Sequence, residues 1–120
     1  MKNEMKKEKD YEYSPKSKDE LIQLIKERIN VQGHQCSLND IDVSEITDMS
    51  MLFKESPFNG DISKWDVSHV KDMVGMFYKS PFTGDISQWK IHEDTDVSFM
   101  LEGCPLGDNP LKWYKSLMNS

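Results

Sequence analysis

Apolar positions along this chain fall into columns spaced by 24 residues. Residues 56–67 read SPFNGDISKWDV and residues 80–91 read SPFTGDISQWKI, identical at eight of twelve positions. The same offset aligns Trp65, Trp89 and Trp113, with Ile41 one period earlier. It also aligns Leu38, Ile62 and Ile86; Val43, Val67 and Ile91; and Met49, Met73 and Val97. Leu52, Met76 and Met100 form a further column, as do Phe53, Phe77 and Leu101, and Phe58, Phe82 and Leu106. Polar positions between the columns drift, Glu45 to His69 and Lys64 to Gln88. Apolar columns kept while their polar neighbours change are what a shared interior demands, because each buried side chain contributes roughly 1.5–3 kcal/mol. A fixed period in the twenties predicts stacked repeats and outranks local propensity as a guide to fold.

Within one period the pattern predicts a strand and a helical turn. Trp65 and Val67 share parity, so a short strand would bury both and turn Asp66 and Ser68 to solvent. Met73, Met76 and Phe77 are spaced as one stripe of a short helix. Asp72 precedes them as a candidate N-cap, with Asp48 and Asp96 in the same place. Ser80-Pro81 would end that helix, and Gly84-Asp85 supplies a turn. Ahead of the repeats, residues 17–30 read as a helix: Ser17 as N-cap, Glu20 completing a capping box, Leu21, Leu24, Ile25 and Ile29 on one face, and Gly33 in the following turn. Such a helix suits the cover that an open repeat stack needs at its end; docking on a partner is the alternative.

The division along the chain is then a charged, flexible N-terminal arm at 1–16, an N-terminal capping helix at 17–33, the repeats at 34–108 and a C-terminal cap at 109–120. Tyr11 and Tyr13 are candidate anchors for the arm. In the last segment Pro110 can open a short helix. Leu111, Trp113, Tyr114, Leu117 and Met118 read as a degenerate fourth copy turned into a cap.

Residues 62–85, ISKWDVSHVKDMVGMFYKSPFTGD, resemble the BspA-type leucine-rich repeat of bacterial and mycoplasmal surface proteins. Residues 61–84 fit it almost throughout, and residues 38–60 fit with Ile41 where a tryptophan is expected. Residues 85–108 depart: Asp94 stands where Ile46 and Val70 stand, and Cys104 replaces Ser56 and Ser80. The resemblance spans about residues 38–108. It implies an α/β repeat solenoid, a leucine-rich-repeat-like right-handed coil of about three 24-residue strand-turn-helix repeats between two caps. It implies no catalytic residue.

Composition narrows the chemistry. The 120 residues allow one domain, and 37% hydrophobic against 30% charged content suits a small stack that buries little. No run approaches the length of apolar sequence that spans a membrane. No apolar segment follows the basic N-terminal residues, which points to a cytoplasmic protein, with a cell-surface or extracellular one as the alternative if a signal peptide has been removed. Residues 21–120 carry 9 basic and 15 acidic residues, the whole of the net charge of −6. That disfavours direct nucleic-acid binding and favours basic partners, or serves solubility alone.

Cys36, Cys104 and three histidines offer little for a thiol or metal site. His34 and Cys36 lie close, but zinc wants four ligands. A Cys36–Cys104 disulfide would cross nearly three copies spaced at roughly 5 Å, beyond its reach. Free structural thiols fit a reducing compartment. No nucleophile elbow, phosphate loop or H-E-x-x-H is present. The carboxylate columns Asp48/Asp72/Asp96 and Asp61/Asp85 read as caps and turns, and the tryptophan column as core instead of a stacking platform. No enzyme activity, cofactor or metal is expected.

The expected function is therefore a non-enzymatic protein-protein interaction module. Its exposed strand face would present ladders: Lys64 and Gln88; Asp42, Asp66 and Lys90; Ser44, Ser68 and His92. The patch is narrow, so a few anchors must carry the affinity. One alternative is a small acidic inhibitor of phage or mobile-element type, anti-CRISPR-like, that occupies the basic groove of a nucleic-acid-processing enzyme. A second is a fragment of a surface adhesin. The partner is another protein, one with a basic surface; neither nucleic acid nor a membrane span is expected.

Overall fold

The computed structural model describes residues 13–108 and 111–118. Most of the N-terminal arm (residues 1–12, with Tyr11) and the Pro110 helix start lie outside the described residues. Helix α1, Lys18–Gln32, opens where its cap spacing places it: the Ser17 hydroxyl accepts the Glu20 N–H at 3.2 Å, and Glu20 Oε1 accepts the Lys16 N–H at 2.7 Å. Gly33 closes the helix at φ 89°, its N–H donating to the Ile29 carbonyl at 2.7 Å. Leu21 and Ile25 are buried against the repeats. Arg28 clamps the helix to them: its guanidinium donates two bonds of 2.8 Å to the Asp40 carboxylate and one of 2.9 Å to the Ser37 carbonyl. A bidentate pair of this kind fixes orientation as well as adding energy. Ahead of α1, the Tyr13 carbonyl accepts the Asp42 N–H at 2.8 Å, so this part of the arm is anchored on the first copy.

The strand-turn-helix repeat is overturned. Among the described residues there is no strand and no sheet, only isolated parallel bridges such as Asp48 with Asp72 and Asp72 with Asp96. The residues expected to form a helical stripe in each copy form no helix: beyond α1 there is one 3-10 helix, Pro105–Asp108, and α2, Lys112–Met118. With these expectations go the right-handed coil and the leucine-rich-repeat-like solenoid built on them.

Turns take their place, and the cause lies in the aspartates. Oδ1 of Asp42, Asp48, Asp61, Asp66, Asp72, Asp85 and Asp96 accepts the N–H two residues ahead, at 2.8–3.1 Å. In five of the seven a serine hydroxyl at that position donates to the same oxygen, at 2.6–2.7 Å. These Asx turns compete with extended backbone. They recur too closely for any strand to lengthen between them. Asp48, Asp72 and Asp96 accordingly cap turns, not helices.

Between the aspartates, β-turns close on apolar residues three apart. Trp65 N–H donates to Ile62 O at 3.2 Å, Val70 to Val67 at 3.0 Å and Met76 to Met73 at 3.2 Å. Both ends of each turn are buried, so Trp65, Val67, Met73, Met76 and Phe77 do share an interior, but through turns.

Copies stack all the same. We number them copy 1 (residues 38–60), copy 2 (61–84) and copy 3 (85–108). The N–H groups of Met49, Met51, Phe53 and Glu55 donate to the carbonyls of Asp72, Val74, Met76 and Tyr78, at 2.8–2.9 Å. Met73, Gly75, Phe77 and Lys79 repeat this onto Asp96, Ser98, Met100 and Glu102, at 2.8–3.0 Å. Alternate N–H groups thus bridge copies while the others close turns. The phenylalanines follow, Phe53 over Phe77 at 5.6 Å and Phe58 over Phe82 at 6.2 Å. Each tryptophan reaches back one copy: Nε1 of Trp65, Trp89 and Trp113 donates to the carbonyl of Leu38, Ile62 and Ile86, at 2.9, 3.0 and 2.9 Å. Trp65 and Trp89 are 4% exposed, and Trp113 of α2 is half-buried.

Candidate functional site

The turn ladder forces a particular backbone at two columns. Met51, Gly75 and Phe99 have φ of 57°, 63° and 59°; Glu55, Lys79 and Gly103 have φ of 56°, 55° and 78°. Each is the third residue of a turn whose central position needs the left-handed region, the usual place of glycine. A side chain there is carried away from the interior. Met51 is 53% and Phe99 60% exposed, although both are apolar. Between them Gly75 leaves a notch, where an added Cβ would meet Met51 Cγ at 3.5 Å. The resulting groove, about 340 Å³, is walled by Met51 and Phe99, floored by Val74 and Gly75, and flanked by Tyr78 and Glu102. Lys54 and Lys79 stand over the Tyr78 ring, with ammonium-to-centroid distances of 5.8 and 5.3 Å. Apolar walls with cations held on a neighbouring aromatic ring suit contact with another macromolecule.

The ladder residues expected to bind a partner lie on other corners of the stack. Lys64, Asp66, Gln88, Lys90 and His92 are exposed; Asp42, Ser44 and Ser68 are half-buried. Several already have structural work. Asp42 accepts the Ser44 N–H at 3.0 Å, and Asp66 accepts the Ser68 N–H and hydroxyl at 3.1 and 2.7 Å. His92 Nδ1 accepts the Asp94 N–H at 3.0 Å. The Lys64 N–H donates to Asn39 Oδ1 at 3.0 Å. None of these residues borders the Met51–Phe99 groove. Sequence reasoning missed that groove, and the signal was Gly75: a glycine in a column of large apolar residues marks a left-handed position.

The carboxylates serve the turns. Hydrogen bonds from the Ser63 N–H and hydroxyl hold the Asp61 carboxyl below its usual range; the Ser87 and Ser98 hydroxyls and N–H groups do the same for Asp85 and Asp96. At Asp48 burial pushes upward, but the Ser50 bonds and Lys18 together outweigh it. Cys36 and Cys104 are buried free thiols, and burial pushes both upward. Among the described residues no three His, Cys, Asp or Glu side chains cluster as metal ligands. No helix among them is long and apolar enough to cross a membrane.

Residues 22–118 match the model of the family described as Mycoplasma protein of unknown function, DUF285, and the chain belongs to that family. Neither the curated proteins nor the solved structures contain a significant match to it.

Proposed function

We propose that this member of the Mycoplasma family is a non-enzymatic binding module that grips another protein through the outer face of its stacked copies. The observation that carries the reading is the exposed groove at Met51, Gly75 and Phe99. Two large apolar side chains held outward in a left-handed backbone cost stability, since each such residue is strained by about 1–2 kcal/mol. The turn ladder imposes that backbone, as it does on Glu55 and Lys79, and what points to contact is that here it leaves two large apolar side chains facing outward beside each other. The sequence likeness of residues 38–108 to BspA-type surface-protein repeats agrees with a role in contact. The ladders of Lys64, Asp66, Gln88, Lys90 and His92 lie outside the groove and form the polar part of the same reading, with Asp42, Ser44 and Ser68 behind them. The acidic excess of residues 21–120 favours a partner with a basic surface.

Two variants test the proposal, Met51→Ser with Phe99→Ser, and Lys64→Ala with Asp66→Ala and Gln88→Ala. Each is used with the wild-type chain to capture partners from the lysate of the native host. Met51, Phe99, Lys64 and Gln88 lie outside the interior and outside the Asx turns, whereas Asp66→Ala removes the bonds to Ser68, so circular dichroism checks the fold of each variant and a Lys64→Ala, Gln88→Ala pair replaces the Ala set if that fold is lost. Loss of the captured protein with the Ser pair is the expected result. Loss only with the Ala set moves the site to the ladders, and retention by both variants ends the proposal. Raising the salt concentration reads the electrostatic share: steep weakening favours the acidic surface as the main determinant.

A further inference from the structure

We infer that the C-terminal edge of the stack is a docking edge for one added polypeptide segment, laid parallel to copy 3 and held by main-chain hydrogen bonds. The inference rests on the binding reading above and names the chemistry of the partner. In copies 1 and 2 the N–H groups of alternate residues, Met51/Phe53/Glu55 and Gly75/Phe77/Lys79, all donate to the next copy. Copy 3 repeats the geometry that aims them. Met100 and Cys104 close turns on Val97 and Leu101 at 3.1 and 3.0 Å, and Phe99 and Gly103 keep φ of 59° and 78°. Yet among the described residues no backbone carbonyl meets the N–H of Phe99, Leu101 or Gly103. Leu101 itself is only 2% exposed and lines a cavity with Gly107 and Tyr114, while Phe99 and Gly103 are exposed. Cavities of about 390 and 430 Å³ lie along this edge, the first lined by Phe99, Leu101 and Tyr114, the second by Gly103 and Asp108.

The N–H groups of exposed Phe99 and Gly103, one on each side of buried Leu101, are the complement of carbonyls on a polypeptide backbone, and exposed edges of this kind recruit added segments. A second copy of the chain is not the proposed occupant, because α1 packs at the end of the stack that would have to meet this edge. Its complementary carbonyls, on Ser50, Leu52 and Lys54, lie at the end beside α1, where Lys18 donates to Ser50 Oγ at 2.8 Å and Ile25 and Ile29 line a cavity with Leu52 and Phe53. Charge specifies the segment further. Lys54, Tyr78 and Glu102 form one column, and Glu102 and Asp108 are both exposed beside the edge. The incoming segment therefore presents carbonyls at alternate residues and a lysine or arginine at the position that stacks on Glu102. Residues 47–56, TDMSMLFKES, have that pattern, with Lys54 at the Glu102 column.

The probe is a synthetic TDMSMLFKES peptide titrated into the isotope-labelled full chain, read by amide shifts and hydrogen exchange. The amides of Phe99 and Gly103 are expected to slow several-fold in exchange. Affinity should fall several-fold when the peptide lysine is replaced by glutamate, and again when the serine–methionine amide corresponding to Ser50–Met51 becomes an ester, a weaker acceptor toward Phe99 N–H. Unchanged Phe99 and Gly103 amides at millimolar peptide would overturn the inference, as would equal affinity of the ester peptide. Shifts confined to Met51, Val74 and Tyr78 would overturn it too, while leaving the groove reading intact. Self-association of the free chain that protects Phe99 and Gly103 would replace the proposed occupant with a second copy and likewise refute it.

Discussion

Replacing Gly60 by alanine tests whether the copies are held by close backbone approach. A Cβ at residue 60 would stand 1.8 Å from the Cys36 carbonyl oxygen and 2.8 Å from Phe58 Cε1. Since real Cβ contacts essentially never fall below 3.0 Å, residues 34–38 and 59–61 must part by more than an ångström. Three backbone bonds span that seam: Asn59 to His34 at 2.8 Å, Leu38 to Asp61 at 2.9 Å and Asp61 to Cys36 at 3.2 Å. At a net value of about 0.5–1.5 kcal/mol each, their loss costs about 2–4 kcal/mol, a large part of the stability of a domain this size. Urea unfolding followed by tryptophan fluorescence should show the midpoint falling by about 1–2 M with little change in slope. Gly84→Ala, one copy later, is the control. There the Cβ meets the Phe82 ring at 2.5 Å but the nearest backbone atom, Gly60 O, only at 3.3 Å. Its cost should be smaller, about 1–2 kcal/mol, because a ring can tilt where a peptide cannot. If Gly60→Ala costs less than Gly84→Ala, the reasoning is refuted.

Other perturbations follow from the same geometry. In the column Glu55/Lys79/Gly103, Gly103→Ala should lose at least about 1 kcal/mol, since its φ is 78° and its Cβ would crowd Lys79 at 3.1–3.3 Å. Lys79→Gly should be neutral to slightly stabilising, strain relief offsetting the chain entropy of glycine; chemical denaturation compares the two. Trp89→Phe removes the indole bond to Ile62 O and part of a buried ring, for about 2 kcal/mol; Trp113→Phe, half-buried, should cost less, as thermal melts can show. Asp48, Asp61, Asp85 and Asp96 have folded pKa values below their unfolded ones, so their contribution is present above about pH 4 and is lost as pH falls further. Urea midpoints between pH 6 and 3 should drop, and less steeply in Ser63→Ala with Ser87→Ala. Cys36 and Cys104 should react with a thiol reagent only at the rate of opening in native buffer, and at once in denaturant.

How far the chain could be read depends on which physics each residue obeys. Burial columns survive any choice of backbone, because two residues one copy apart face the same interior whether a strand or a turn carries them. Hence Trp65, Trp89 and Trp113 could be put in a row without knowing the local conformation. Local conformation was misread at the aspartates. A carboxylate accepting an N–H two residues ahead opens a helix and closes an Asx turn by nearly the same bond, so Asp72 taken alone cannot tell the two apart. The recurrence could: Asp61, Asp66 and Asp72 leave four or five residues between corners, too few for a strand once each corner takes three. The groove was hidden for a related reason. Met51 and Phe99 count as core on hydrophobicity, and only their alignment with Gly75 says otherwise. In a stack of copies the turn ladder gives each column one backbone, a glycine in the column marks it as left-handed, and the non-glycine members are turned outward whatever their polarity. Gly103 makes the same statement about Lys79 and Glu55, both exposed and both at positive φ. A repeat column that mixes glycine with large apolar residues is therefore a place to look for contact surface before it is assigned to the core.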